Sequence, residues 1–180
     1  MEHGDDPLTQ RFQALRERLL GTAWFVVGDR EDAREAVQEA FLRCWRARER
    51  TAAAGDLDGW IFAVLLNVAR DLRRRRTVRR AESLPPEDAM TANVSDADPA
   101  RRVAAREDLV RVRAAIRELP ETEREVFLLR QNGELPYERI AETLGIPVGT
   151  AKTRMRRALE RLRRVIEPAP SVQPFPGRTA

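Results

Sequence analysis

The sequence predicts an all-α protein: two small helical domains joined by a flexible acidic linker, the C-terminal one a helix-turn-helix. Three observations carry this. Apolar residues recur at spacings of three and four along the 180 residues, and no stretch alternates at strand period. The charge changes sign abruptly: residues 70–80 hold seven arginines against one aspartate, whereas residues 81–100 hold five acids, three prolines and no base. A glycine turn then separates a short apolar helix from an arginine-rich one within residues 135–164.

Between Leu8 and Val27, the residues Phe12, Leu15, Leu19, Ala23 and Val26 share one helical face. Gly28-Asp29 breaks the pattern, and Asp29 is a fitting N-cap for a second helix to about Ala47. Its apolar stripe is Ala33, Val37, Ala40, Phe41 and Cys44; the opposite face carries Glu35, Gln38, Glu39, Arg43 and Arg46. After a loop over 49–59, a third helix opens at about Trp60 and turns purely basic by Arg73. The acidic stretch that follows cannot bury enough apolar surface to offset its ordering entropy, which marks it as a linker. A second helical unit starts near Arg101, with Leu109, Val112, Ile116 and Leu119 in rhythm up to Pro120. The proline-rich end is expected to be disordered. The expected division is 1–80, linker 81–102, 103–167 and tail 168–180.

The scarce residues narrow the chemistry. Lys152 is the only lysine, so 32 of the 33 basic side chains are arginine, with a net charge of +4. Arginine's planar fork suits phosphates and base edges. His3 and Cys44 stand alone of their kinds, and serine occurs only at 83, 95 and 171. A zinc site, a disulfide framework and a nucleophile–histidine triad each lack parts, so neither enzyme activity nor a metal or cofactor is expected. The longest apolar run, residues 60–66, is far short of the roughly 20 that cross a bilayer. The first ten residues are acidic and carry no signal-peptide pattern. No membrane insertion and a reduced, cytoplasmic setting are the expectation.

Residues 135–164 are the most informative. Pro136 suits the first turn of a helix with Ile140, Ala141 and Leu144 inward, and Gly145 can take the left-handed conformation that ends it. A second helix from about Val148 turns Ala151, Met155, Ala158 and Leu162 inward. Thr150, Lys152, Thr153, Arg154, Arg156 and Arg157 then face outward as a recognition helix for duplex DNA. An αα-hairpin with a merely solvated basic face is the plainer reading. The glycine turn, the spacing and the one-sided basicity together favour DNA.

In the N-terminal half, residues 60–76 couple Trp60 and Phe62 to arginines, a combination able to hold unstacked bases while tracking phosphates. Filling of a three-helix core by Trp60, Phe62 and Leu65 is the better reading for most of these side chains. Asn67 and the arginines beyond it are the stronger nucleic-acid candidates. The acid-and-amide face of Glu35, Gln38 and Glu39 repels DNA and points to a protein partner.

Three segments, DREDAREAVQEAFLRCWR (29–46), DGWIFAVLLNVARDLRRR (58–75) and LPETEREVFLLRQNGELPYERIAETLGIPVGTAKTRMRRALERLR (119–163), resemble bacterial RNA polymerase sigma factors. The resemblance is to the extracytoplasmic-function (ECF) subfamily of the sigma-seventy superfamily, over roughly residues 8–165. It implies that region two binds the clamp helices of the polymerase largest subunit through Glu35, Gln38, Glu39 and Arg43. It implies minus-ten recognition and melting by the third helix and its preceding loop, through Leu57, Trp60, Asn67, Arg70, Arg73 and Arg74, with Asn67 lining a flipped-base pocket. Region four is implied to read the minus-thirty-five element through Arg130, Thr150, Lys152, Thr153, Arg154, Arg156 and Arg157, and to meet the flap of the second-largest subunit. An anti-sigma partner is implied as well, with promoter DNA and core polymerase as the working partners.

Several positions depart from the family pattern. Ala63 and Leu66 stand where arginines are frequent, Leu57 where an aromatic is, and Pro136 where an N-cap serine is usual. Arg34, Glu35 and Ala36 replace Glu-Asp-Leu beside the clamp surface. The alternative is a stand-alone helix-turn-helix regulator, which leaves residues 60–76 without a purpose.

Overall fold

Asp6 begins the first helix by accepting hydrogen bonds from the backbone N–H groups of Leu8 and Thr9, at 2.9 and 3.3 Å. Helix α1 (Pro7–Val27) ends at Gly28, whose φ of 83° lies in the left-handed region that glycine takes without strain. The computed structural model describes residues 6–51, 56–80 and 99–166, and every regular element among them is helical. Asp29 accepts from the N–H groups of Glu31 and Asp32 at 2.9 and 3.0 Å, the cap the sequence predicts for α2 (Arg30–Thr51).

Helices α1, α2 and α3 (Leu57–Arg80) pack against one another as a three-helix bundle. Leu15, Leu19, Ile61, Phe62 and Leu65 are fully buried in it, and Phe12 meets Phe41 edge-on at 5.1 Å. Small residues at Ala33, Ala36 and Ala40 let α2 approach closely, all of them buried. The predicted stripe on α2 is therefore correct, with Ala36 added to it. Phe62 and Leu65 are core, as favoured, and Trp60 packs against that core half-buried.

The second unit comprises α4 (Pro99–Glu118), α5 (Glu121–Gln131), α6 (Tyr137–Leu144) and α7 (Val148–Ile166), with α7 packed on the other three. Gly145 ends α6 at φ 64°, and the N–H of Ile146 reaches back to the carbonyl of Ala141 at 3.0 Å. Ala151, Met155, Ala158 and Leu162 are all buried, as the spacing predicts.

Four boundaries differ from expectation. Helix α3 opens at Leu57 rather than Trp60, because the Asp56 carboxylate accepts from the Gly59 N–H at 3.0 Å and caps the extra turn. Leu57 therefore lies in the helix, not in a loop. Helix α2 continues past Ala47 to Thr51, and α4 starts at Pro99, where proline's fixed φ suits a first helical position. Pro136 is the residue before α6, in extended conformation, instead of its first turn. Leu109, expected on the apolar face of α4, is 38% exposed, whereas Ile116 and Leu119 are buried. Of the expected linker over 81–102, residues 81–98 lie outside the described residues and 99–102 belong to α4; the expected tail over 168–180 lies outside them as well. Among the described residues, no helix is long and apolar enough to cross a membrane.

Two predictions follow from the bundle. The Asp29 carboxyl is held below its usual range by the Asp32 N–H and by Arg76. A depressed folded-state pKa contributes stability above the unfolded value near 4 and loses it as pH falls through the folded value. Asp29→Ala should thus cost about 0.5–2 kcal/mol at pH 7 in urea unfolding, with the deficit shrinking by pH 3. The Cys44 thiol is buried and pushed up to about 12 by desolvation. It should resist Ellman's reagent at pH 8 in the native protein and react fully in guanidinium.

Candidate nucleic-acid interface

Three groups of polar side chains stand out, and the helices position each differently. The first lies on the C-terminal unit. Within α7, Lys152, Arg156 and Arg157 are exposed, while Thr150, Thr153 and Arg154 are half-buried. Thr153 donates its hydroxyl hydrogen to the Gly149 carbonyl at 2.9 Å, and Arg156 pairs with Glu160 one turn on at 3.0 Å. Arg130 comes from the end of α5 and donates to the Leu135 carbonyl at 3.0 Å. Its guanidinium lies 5.5 Å from the ring centre of Tyr137, and the Lys152 ammonium lies 5.8 Å from the same ring. Tyr137, the only tyrosine, thereby links cations from α5 and α7. Sequence reasoning missed it. Its place at the opening of α6, next to Pro136, was the available signal.

The second group lies on α3. Asn67, Arg70 and Arg74 share a face by helical spacing, with Arg73 beside them. The Arg70 guanidinium donates to the Asn67 side-chain carbonyl at 3.1 Å. Arg74 pairs with Asp71 at 3.2 Å and is largely exposed. Arg70 also forms a two-pronged pair with Glu125 of α5, at 2.5 and 2.6 Å, and Glu125 is only 6% exposed. Arg73 pairs with Glu121. Leu57 and Trp60 sit apart from these arginines: Trp60 and Arg73 are about 20 Å apart along the axis. The structure thus brings Asn67, Arg70, Arg73 and Arg74 together and leaves Leu57 and Trp60 at the other end of the helix.

Glu121 and Glu125 are the second miss. A carboxylate 55 residues from its arginine carries no local pattern, so only the tertiary fold reveals the pair.

The third group is the α2 face. Glu35, Gln38, Glu39 and Arg43 line a groove of about 360 Å³ together with Leu42 and the α3 residues Val68, Asp71, Leu72 and Arg75. Glu39 accepts from Arg43 at 2.8 Å, and that bond holds its carboxyl below the usual range. Leu42 is 37% exposed within this charged setting, an apolar contact point of the kind protein interfaces bury. All four predicted residues come together here. The groove and the arginine strip occupy α3 about a third of a turn apart.

The chain is similar in sequence and fold to known proteins. The family described as sigma-70 region 2 matches residues 11–79, and the one described as sigma-70, region 4 matches residues 109–162. The ECF RNA polymerase sigma factor EcfG of Rhodopseudomonas palustris is 31% identical over 158 residues, covering 87% of this chain and 83% of that protein. The probable ECF RNA polymerase sigma factor SigI of Mycobacterium tuberculosis is 34% identical over 167 residues and 87% of this chain. The chain spans 54% of the length of that relative and 56% of the Mycolicibacterium smegmatis SigE, about half of each. The sigma factor RpoE, solved in complex with the anti-sigma factor NepR from Bartonella quintana, shares the fold. Its TM-score is 0.72 at 22% identity, over 89% of this chain and 97% of that one. CnrH, solved with the cytosolic domain of CnrY, matches with a TM-score of 0.61 at 23% identity, covering 91% of this chain and 89% of that one.

Proposed function

The chain belongs to the ECF RNA polymerase sigma factors of the sigma-70 family, and on that premise we propose that it directs core RNA polymerase to promoters in the cytoplasm. Residues 1–80 act as region two, 81–102 as the linker, 103–167 as region four and 168–180 as a tail, with the first helical turn of α4 overlapping the linker. The observation that carries the reading is the coexistence of two basic surfaces on separate helical units with an acid-and-amide groove between α2 and α3. A stand-alone DNA regulator has no use for that groove.

The groove of Glu35, Gln38, Glu39 and Arg43 receives the clamp helices of the largest polymerase subunit, with Leu42 as its apolar centre. The exposed side chains of α7 enter the major groove of the minus-thirty-five element, while α4 and α7 also face the flap of the second-largest subunit. Each good bidentate arginine–base pair contributes about 1–3 kcal/mol of discrimination. Asn67, Arg70, Arg73 and Arg74 meet the minus-ten strand as it unstacks, and Leu57 and Trp60 flank the upstream end of that contact. Tethering two weak readers to one enzyme raises the effective concentration of each at its own element. The chain itself carries out no covalent chemistry. An anti-sigma polypeptide completes the proposal, a partner type present in the solved RpoE complex.

The test is association with bacterial core polymerase followed by run-off transcription on genomic fragments. Tight association with new start sites supports the reading; salt-sensitive duplex binding with no polymerase association overturns it. Arg157→Ala should weaken minus-thirty-five recognition and leave core association unchanged. Tyr137 positions Arg130 and Lys152. Losing two exposed cation–ring contacts should weaken minus-thirty-five duplex binding roughly 5- to 30-fold in Tyr137→Ala. Tyr137→Phe, which keeps the ring, should restore it, as fluorescence anisotropy with labelled duplex would read.

A further inference from the structure

Where α1 turns into α2, arginines from three helices converge on an aromatic recess that neither promoter reading nor polymerase contact uses. The cavity is about 340 Å³ and is floored by Trp24 and Phe25 of α1. Arg16 of α1, Arg30 and Arg34 of α2 and Arg113 of α4 complete its walls. Trp24 is only 8% exposed and meets Phe25 edge-on at 4.9 Å, so the floor is a fixed aromatic step. Glu17, the one carboxylate lining the cavity among the described residues, pairs with Arg16 at 3.1 Å while remaining largely in solvent. Arg34 pairs with the exposed Glu31 outside the cavity. Arg30 and the half-buried Arg113 have no ion pair among the described residues.

Two features separate this recess from an ordinary solvated basic face. Like charges gathered around a cavity with low-dielectric walls repel one another and focus a positive potential into it, which an anion turns into attraction. The floor, in contrast, offers nothing to a simple inorganic ion. A ligand that uses the whole cavity needs several negative charges at one end and a flat apolar ring at the other. A nucleotide has both: arginine forks take phosphate oxygens in pairs, and a base lies against an aromatic side chain. Ligand pockets run from about 300 to 1,000 Å³, so this one suits a single mononucleotide and not a stretch of strand. Four arginines against Glu17 leave an excess of three positive charges, and a diphosphate carries about three negative ones at neutral pH.

We propose that this cavity is a binding site for a nucleoside diphosphate, with the base against the Trp24–Phe25 step and the phosphates held by Arg30, Arg34 and Arg113. The ligand is bound reversibly, and no bond is made or broken. None of these residues belongs to the surfaces assigned above to DNA or to polymerase, so the site is independent of that reading.

The test is isothermal titration calorimetry of the full chain at low salt. ADP and GDP are the probes, with adenosine and pyrophosphate as the two halves of the ligand taken separately. At least one of the nucleotides should bind one to one in the micromolar range, each half at least about 10-fold more weakly, and added salt should weaken the binding. R30Q/R113Q should lose about 10-fold or more in affinity. E17Q should bind the nucleotide about 2- to 5-fold more tightly, a gain that damaged folding does not produce. Phe25→Leu should weaken the nucleotide and leave pyrophosphate unchanged, and circular dichroism checks that each variant keeps its helices. Absence of nucleotide binding, pyrophosphate binding as tightly as the nucleotides, or an affinity that neither R30Q/R113Q nor E17Q moves overturns the proposal. A duplex of arbitrary sequence is titrated in parallel. If R30Q/R113Q weakens duplex binding and leaves nucleotide affinity unchanged, the arginines track DNA phosphates and the proposal is likewise overturned.

Discussion

Helix α3 has to be two things at once, and the rest of the molecule is arranged around that constraint. Its first half buries Ile61, Phe62, Leu65 and Leu66 in the three-helix core, and its second half carries arginines that no core accepts. The apolar half fixes the helix rigidly against α1 and α2, and the basic half projects from that support. Its charges are managed by nearby acids. Arg76 is held by Asp29 and Asp32 at the start of α2, Arg70 and Arg73 by Glu125 and Glu121 of α5. The same helix supplies Val68, Asp71 and Leu72 to the groove beside α2. Core, groove and arginine strip are three sectors of one helix, so a rotation of α3 would disturb all three.

What the sequence made legible follows from how local each signal is. The break at Gly28 and the Asp29 cap depend on neighbours within three residues, and both stand where periodicity places them. The turn at Gly145 and the inward set Ala151, Met155, Ala158 and Leu162 are equally local, and equally correct. Helix α3 opens a turn earlier than periodicity places it, because the Asp56 cap outweighs a glycine- and alanine-rich stretch that reads as a breaker. Leu109 keeps the apolar rhythm of α4 but is left 38% exposed, because periodicity places a side chain on a face without saying how far a neighbouring helix covers it.

The candidate site divides along the same line. Outward-facing positions on α7 and the α2 face follow from helical spacing alone, because a side chain's direction is set by its own turn. Partners are another matter. Glu125 reads in sequence as an ordinary solvent-facing acid of an amphipathic helix, yet it is among the most buried charged residues described. Tyr137 reads as a helix-opening aromatic, and only the approach of α5 and α7 makes it a platform for two cations. Neither role has a periodic signature. Each depends on contacts between helices distant in the chain.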